Sequence, residues 1–390
     1  MQAHLQFEDR LYGTLLGLVL AIVAALPVAA DTYPSERVSI ETTVIADGVE
    51  RPTDMEFLPD GTALVAARRA GMIYRLDLQS GALTPLDGIP ENFHEGDAGM
   101  HNIALHPDFA DNGWLYLAYS IGSEIRSTIV VDRAKLNGNR LVDVERLFAA
   151  DAWSDSTWHN GGRLEFVDEY LFVTIGDRSR RDRSQDRANH TGSIVRLHDD
   201  GRVPADNPFV GEKDVRPEIW SYGHRNPQGL VWDPATETLW SHEHGPRGGD
   251  ELNRIERGSN YGWPVTSWGF EYDGGPIGMG IVAKENVTAP TWVWTPSIGP
   301  SGLLVYRGSE FPEWQGNLLV GSMAYVHLNR LVVRDGQIIN EERLLPGALG
   351  RIRFVAEGPT GAIFLGSDTG QIIKLTRKDE SAMASEARAN

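Results

Sequence analysis

Apolar residues in this chain come in short runs, each broken by a turn rich in Asp, Gly or Pro and then resumed, and this pattern recurs six times. The six stretches are MEFLPDGTALVAARRAGMIYRLDL from Met55, IALHPDFADNGWLYLAYS from Ile103, RLEFVDEYLFVTIGD from Arg163, GLVWDPATETLWSHEHG from Gly229, GLLVYRGSEFPEWQGNLLVGS from Gly302 and IRFVAEGPTGAIFLGSDTGQIIKL from Ile352. Several add a third strand containing Ile with Arg or Lys, as in GSIVRLHDDG and HLNRLVVRDG. Successive starts lie roughly 50 to 75 residues apart, the length of a four-stranded unit carrying loops. Each unit alone would leave one face of its sheet wet, and closing the units in a ring buries every face and removes the open ends. The pattern therefore predicts an all-β fold, a six-bladed β-propeller. Two separate β-sandwiches would need a linker, and no Pro/Ser-rich break lies near the middle. No stretch sustains a 3.6-residue apolar period with caps, so helix should be scarce. The longest insertions, Arg178 to Thr191 and Trp263 to Thr291, are expected on one face of the ring, where they would build a site.

The first thirty residues break the pattern. Leu11 to Leu26 is apolar and uncharged, and Val28 and Ala30 are small residues suited to cleavage after Ala30. Residues 1–30 therefore read as a signal peptide, with an uncleaved anchor as the competing reading because Glu8 and Asp9 outweigh Arg10. The domain organisation expected is signal peptide 1–30, propeller 31–377 and a polar Ala/Ser-rich tail 378–390, with a periplasmic or secreted location and no membrane span after cleavage.

Composition sharpens the picture at two points. There is no cysteine, which excludes thiolate metal sites, cysteine nucleophiles and disulfides. The formal charge is −18, and removing residues 1–30 leaves 35 basic and 52 acidic residues, so the acidity belongs to the folded domain. Such a field repels polyanions, and nucleic acid is not an expected partner.

Five constellations carry candidate chemistry. WHNGG places His159 directly before a strand, where a general base would be rigidly mounted, although a hydrogen-bonded turn histidine has the same appearance. IGDRSRRDRSQDRANHTGSIVRL mixes arginines with Asp177, Asp182 and Asp186, and reads as a self-paired solvated loop for Arg180, Arg181 and Arg183. YGHRNPQGL offers Arg225, Asn226 and Gln228, able to grip a planar carbonyl- or carboxylate-bearing ligand or to fill an inter-blade loop. HEHGPRGGDELNRIERGSNYGWP combines the open carbonyls of Gly245 and Pro246 with the Glu251 carboxylate, a hard-oxygen set suited to calcium. His242 and His244 would point to opposite faces of a strand, which argues against a zinc pair. GRIRF puts Arg351 and Arg353 on one face, where they repel unless an anion lies between them.

In this order the constellations resemble the soluble pyrroloquinoline quinone (PQQ)-dependent sugar dehydrogenases of the glucose/sorbosone dehydrogenase family, and more closely their aldose branch. The resemblance runs from about Arg51 to Leu375. It is carried by HPDF at His106, HNGGRLEF at His159, GDRSRRDRSQDRANHTGSIVRL, PADNPF at Pro204, YGHRNPQG, and HGPRGGDELN with NYGWP. The resemblance implies PQQ over the central depression with calcium clamped to it, and an aldose as substrate. It further implies an electron acceptor that is a quinone or a redox protein. His159 would be the general base and Arg225 would lie near the quinone carbonyls. Asn226, Gln228, Tyr272, Arg351 and Arg353 would be further cofactor contacts. Gly245 and Pro246 would bind the calcium beneath PQQ, with Glu251 and Tyr261 at a second calcium position.

Three positions depart from the family pattern. GDAGMHN puts Asp97 at a cofactor-contact position where relatives have Gln, and an unpaired carboxylate there would repel a polyanionic cofactor. Trp158 replaces the acid that precedes the base in the glucose-oxidising branch, and Ala324 replaces a lysine of that branch. Two other functions therefore stand beside oxidation: a calcium-dependent lactonase using Asp97 or Glu251, and a non-catalytic propeller binding glycan or protein at its mouth.

Overall fold

The computed structural model describes residues 31–378, so the signal-peptide reading of residues 1–30 and all but the first residue of the tail lie outside it. Within that span the chain forms the expected six-bladed β-propeller. The first blade has strands Pro52–Phe57, Thr62–Ala67, Met72–Asp77 and Leu83–Pro85, and the second Met100–Leu105, Trp114–Ser123, Arg126–Asn137 and Arg140–Ala149. The third comprises Gly161–Val167, Tyr170–Ile175, Ser193–His198 and Ile219–Tyr222, and the fourth Pro227–Asp233, Thr238–Glu243, Asp250–Arg254 and Trp292–Trp294. The fifth contains Pro300–Val305, Leu318–Ser322, Leu328–Arg334 and Gln337–Leu344. The sixth starts with Ile352–Glu357, Ile363–Ser367 and Ile372–Arg377, and is completed from the other end of the chain. Ser39–Ala46 pairs antiparallel with Ile372–Arg377 (Thr42 opposite Leu375), and Asp31–Pro34 adds a fifth strand outside it. The repeat pattern did not reveal this closure, because the closing strand precedes the first repeat.

Strand position explains the sequence pattern. The second strand of each blade is covered by neighbouring blades on both faces, so TALVAA, YLFVTI, LLVGS and IFLGS are nearly continuous apolar runs and are almost wholly buried. The core accordingly lies between blades. Ala104, Tyr116 and Val131 of the second blade pack on Leu164, Leu171 and Val195 of the third. Met55 and Val65 of the first pack on Phe354 and Phe364 of the sixth. First strands stand side by side around the axis, and Arg163 bridges blades there by donating to the carbonyls of Thr53 (2.8 Å) and Gln228 (2.8 Å). Helix is confined to Phe109–Asn112 and two 3-10 turns among the described residues.

Candidate active site

At the end of the ring where first strands begin and second strands end, a cavity of about 870 Å³ opens. It brings together ten of the twelve residues singled out above: His159, Arg225, Asp97, Asn226, Gln228, Tyr272, Gly245, Pro246, Arg351 and Arg353. Glu251 and Tyr261 lie beneath it, around a small void that also touches Gly245 and Pro246.

His159 sits just ahead of Gly161–Val167 at a backbone φ of +56°. Its Nδ1 lies 2.6 Å from Asp177 Oδ1, and Asp177 is 1% exposed. The same carboxylate accepts from the Trp263 indole N–H (2.8 Å, at Oδ2) and from the Ser179 amide (2.8 Å, at Oδ1). Burial, the largest single influence, acts to raise the Asp177 carboxyl. The hydrogen bond and charge of His159 with the charge of Arg225 outweigh it and hold the group below its ordinary value. An ionised Asp177 fixes the proton on His159 Nδ1 and leaves Nε2 as the basic nitrogen. Sequence reading gave Asp177 no role of its own within the arginine-rich segment, and the structure supplies one. Arg180 and Arg181 do form the solvent-facing ion pairs expected, with Asp155 and Glu271, whereas Arg183 is half-buried and donates to the Trp153 carbonyl (3.3 Å), and Asp177 and the fully buried Arg178 are anchored inside.

Arg225 is bound from below. Its Nη1 donates to the carbonyls of His244 (2.9 Å) and Gly245 (2.8 Å), and its guanidinium lies 5.2 Å from the centre of the Trp263 ring. Trp263 thus touches both the carboxylate that holds His159 and the central cation. Asn226 accepts from Gln228 Nε2 at 2.9 Å and faces His244 Nδ1 at 3.3 Å. Burial pushes His244 down to about 3, so the ring is neutral, donating from Nε2 to the Pro300 carbonyl (2.7 Å) and accepting at Nδ1. His242, two residues earlier, is fully buried against Gly229, and the expected parting to opposite faces is not found: residues two apart on an extended segment share a face, and both imidazoles lie toward the fifth blade, His242 near Gly302 and His244 on the Pro300 carbonyl.

Six arginines line the cavity (Arg51, Arg68, Arg225, Arg247, Arg351 and Arg353) against the carboxylates Asp97 and Asp250. The mouth is therefore cationic in a chain of net charge −18. Two expectations change here. Asp97 is not an isolated carboxylate, since Arg68 (3.1 Å) and Arg51 (3.8 Å) neutralise it. The anion between Arg351 and Arg353 is supplied internally. Asp368 takes a two-pronged pair from Arg353 (2.6 and 2.9 Å) and contacts Arg351 at 3.3 Å. Arg351 also stands just before the strand Ile352–Glu357 rather than within it.

The sequence profile described as Glucose / Sorbosone dehydrogenase matches residues 49–374. This chain belongs to the glucose/sorbosone dehydrogenase family. Aldose sugar dehydrogenase YliI of Escherichia coli is 34% identical over 351 residues, spanning 87% of this chain and 94% of the relative. The apo-form crystal structure of the soluble aldose sugar dehydrogenase from Escherichia coli superposes with a TM-score of 0.83 at 34% identity, covering 87% of this chain and all of that one. The PQQ-bound aldose sugar dehydrogenase of Streptomyces coelicolor gives a TM-score of 0.73 at 27% identity, covering 89% and 100% of the respective chains.

The residues expected to hold calcium fit a hard cation unequally. Gly245 and Pro246 present adjacent carbonyl oxygens, and only one donor engages the first, so a second lone pair is free for a hard cation. Asp250 is not available to help, because its oxygens accept from the Gly245 and Gly299 amides and from Ser297. Among the described residues no group of three or more His, Cys, Asp or Glu could hold a metal by side chains alone. At the deeper position Glu251 and Glu243 share the Asn253 amide at 3.4 and 3.2 Å, while Asn253 Oδ1 is buried without a partner. Burial first, and then Glu243, push the Glu251 carboxyl well above its ordinary value. Two such carboxylates suit a cation. The Tyr261 hydroxyl does not, since it donates to the Arg254 carbonyl (2.5 Å) and accepts from the Glu256 amide (2.9 Å). Sequence reading missed Asp177, Trp263, Arg51, Arg68 and Asp368 as members of the site. Only Asp177 carried a local signal, as a Gly-Asp pair closing a buried strand.

Proposed function

We propose that this protein is a periplasmic or secreted PQQ- and calcium-dependent aldose dehydrogenase that oxidises the anomeric carbon of a sugar to a lactone. The observation that carries the proposal is His159, with Nδ1 tied to an ionised Asp177 and the ring lining a cavity rimmed by arginines. When bound, PQQ supplies an ortho-quinone that takes up hydride from the anomeric carbon, with calcium as Lewis acid at the quinone. His159 Nε2 takes the proton of the anomeric hydroxyl, and Asp177 stabilises the imidazolium that results. Arg225 presents its charge to the quinone side of the cavity, while Arg351, Arg353 and Arg68 face the cofactor's carboxylates. Asn226, Gln228 and Tyr272 complete the cofactor's surroundings. Gly245 and Pro246 would hold the active-site calcium, and Glu251 the second ion. A quinone or a redox protein would serve as the electron acceptor that restores the oxidised cofactor.

The lactonase alternative depends on a carboxylate free to activate water at the mouth. Asp97 is held by two arginines and Glu251 is buried beneath the floor, which favours oxidation. Reconstitution decides the matter. PQQ with Ca²⁺ is expected to raise the melting temperature and to support dye reduction with aldoses, and His159→Ala to keep the thermal shift while losing turnover. Absence of both cofactor binding and aldose oxidation, or lactone opening without PQQ, overturns the proposal.

A further inference from the structure

A second cavity of about 480 Å³ adjoins the large one, and the two share Trp158, His159, Arg225 and Tyr272. The base and two aromatic side chains therefore stand on the partition. Charge is divided unevenly across it. Arg51, Arg68, Arg351 and Arg353 line only the large cavity, whereas the smaller one is walled by Trp263, Ser179, Arg181 and the buried Asp177. Arg181 pairs with Glu271 and lies 5.6 Å from the centre of the Trp263 ring. The two long insertions thus meet across this second cavity.

Trp158 is the informative residue. It is 61% exposed, and among the described residues its ring has neither a hydrogen-bond nor an aromatic partner. Its backbone is nevertheless fixed. The amide donates to Ser156 Oγ (3.1 Å), and the carbonyl accepts from Nη1 of the fully buried Arg178 (2.9 Å). Arg178 also holds Ser127 and the Ser156 carbonyl, so the loop presenting the indole is anchored from inside. An exposed indole on a rigid backbone at a cavity wall is suited to packing on the C–H face of a sugar ring, with polar groups alongside for its hydroxyls.

We propose that the smaller cavity is a subsite for the second unit of a reducing disaccharide, with Trp158 as its stacking platform and Ser179 and Arg181 as hydroxyl partners. The inference rests on the oxidation reading above for its direction. The reducing end must reach His159, and an anionic cofactor held by the arginines would occupy the large cavity, so the remainder of the sugar extends into the smaller one. A cavity of about 480 Å³ falls within the range of small-molecule sites, ~300–1,000 Å³.

The test uses protein reconstituted with PQQ and Ca²⁺, with glucose and cellobiose as substrates and Trp158→Ala and Arg181→Gln as variants. The ratio of kcat/KM for cellobiose to that for glucose is expected to fall about tenfold in Trp158→Ala and by a smaller factor in Arg181→Gln. A ratio unchanged within about twofold in both variants overturns the proposal. Calorimetric titration with cellobiose separates this result from failure of the oxidation reading. If no aldose is oxidised, cellobiose binding that weakens in Trp158→Ala still supports the subsite, and binding that is absent or indifferent to Trp158 refutes it.

Discussion

His159 occupies a left-handed backbone conformation at φ +56°, which costs a non-glycine residue about 1–3 kcal/mol and persists only where neighbours over-determine it. Here the neighbours are Asp177, which fixes the ring, and Arg178, whose amide donates to the His159 carbonyl at 3.3 Å. Asp177→Asn would favour the opposite imidazole tautomer. We expect kcat to fall by about 10²-fold or more, with the PQQ-induced thermal shift retained. Stopped-flow cofactor reduction would measure the chemical step directly. A second residue-scale prediction concerns the axial channel, where Glu165 shares a cavity of about 240 Å³ with Asp54 and Glu56. Burial, the largest cause, and Asp54 raise the Glu165 carboxyl to about 8, from an ordinary 4.5. A folded-state value above the unfolded one means that the native protein binds the extra proton between these limits, so this group's contribution to stability falls as pH rises through that window and is flat beyond it. Glu165→Gln keeps an acceptor for the Trp232 amide and removes the titration. Its unfolding free energy relative to wild type should rise by about 1.4 kcal/mol per pH unit between about pH 4.5 and 8. Urea unfolding across that range measures the slope, and parallel curves for the two proteins would contradict it.

At the scale of single elements, the turn after Tyr170–Ile175 couples His159 to Asp177. A Cβ at Gly176 would stand 2.0 Å from the His159 carbonyl oxygen, so only glycine lets the two segments approach. Gly176→Ala is expected to cost about 1–3 kcal/mol in unfolding free energy and to impair turnover together with stability. An active variant of unchanged stability would show that the approach is not required. Asp368, in the turn between the last two strands of the chain, keeps Arg351 and Arg353 together before an anion arrives. Asp368→Asn should lower the apo melting temperature and enlarge the shift produced by PQQ, because the freed cations then meet the cofactor's carboxylates without competition. Much at this scale was legible in the sequence. The second strands announced themselves as apolar runs, and the Gly-rich, cation-rich loops marked where the chain approaches the site. Other motifs proved architectural: His106 of HPDF caps its own turn by accepting from the Asp108 amide at 3.0 Å, and Asn207 of PADNPF donates to the Arg196 and Pro217 carbonyls.

For the whole molecule, stability depends on closing the ring. Ser39–Ala46 supplies the outer partner of Ile372–Arg377, so deleting residues up to Ala46 would open the sixth blade and expose a strand edge. Such a truncation is expected to lower the melting temperature and to aggregate, which scanning calorimetry with light scattering would register. Closure also makes the site. His159, Arg225 and the Gly245 carbonyl come from loops of the third and fourth blades, while Arg51 and Arg68 come from the first and Arg351 and Arg353 from the sixth. A ring brings these loops to one mouth without a moving lid.

The sequence by itself determined the repeat, the all-β class and the residue types at the mouth, because strand periodicity, turn chemistry and unusual loop composition are local properties that need no partner to be read. Which groups neutralise one another was decided only by the tertiary structure. The pairing of Asp177 with His159, Asp97 with Arg51 and Arg68, and Asp368 with Arg351 and Arg353 joins positions 15 to 46 residues apart. Opposite charges carry no mark of their partner in one dimension, and the strength of each pairing depends on distance and burial that exist only once the blades have packed.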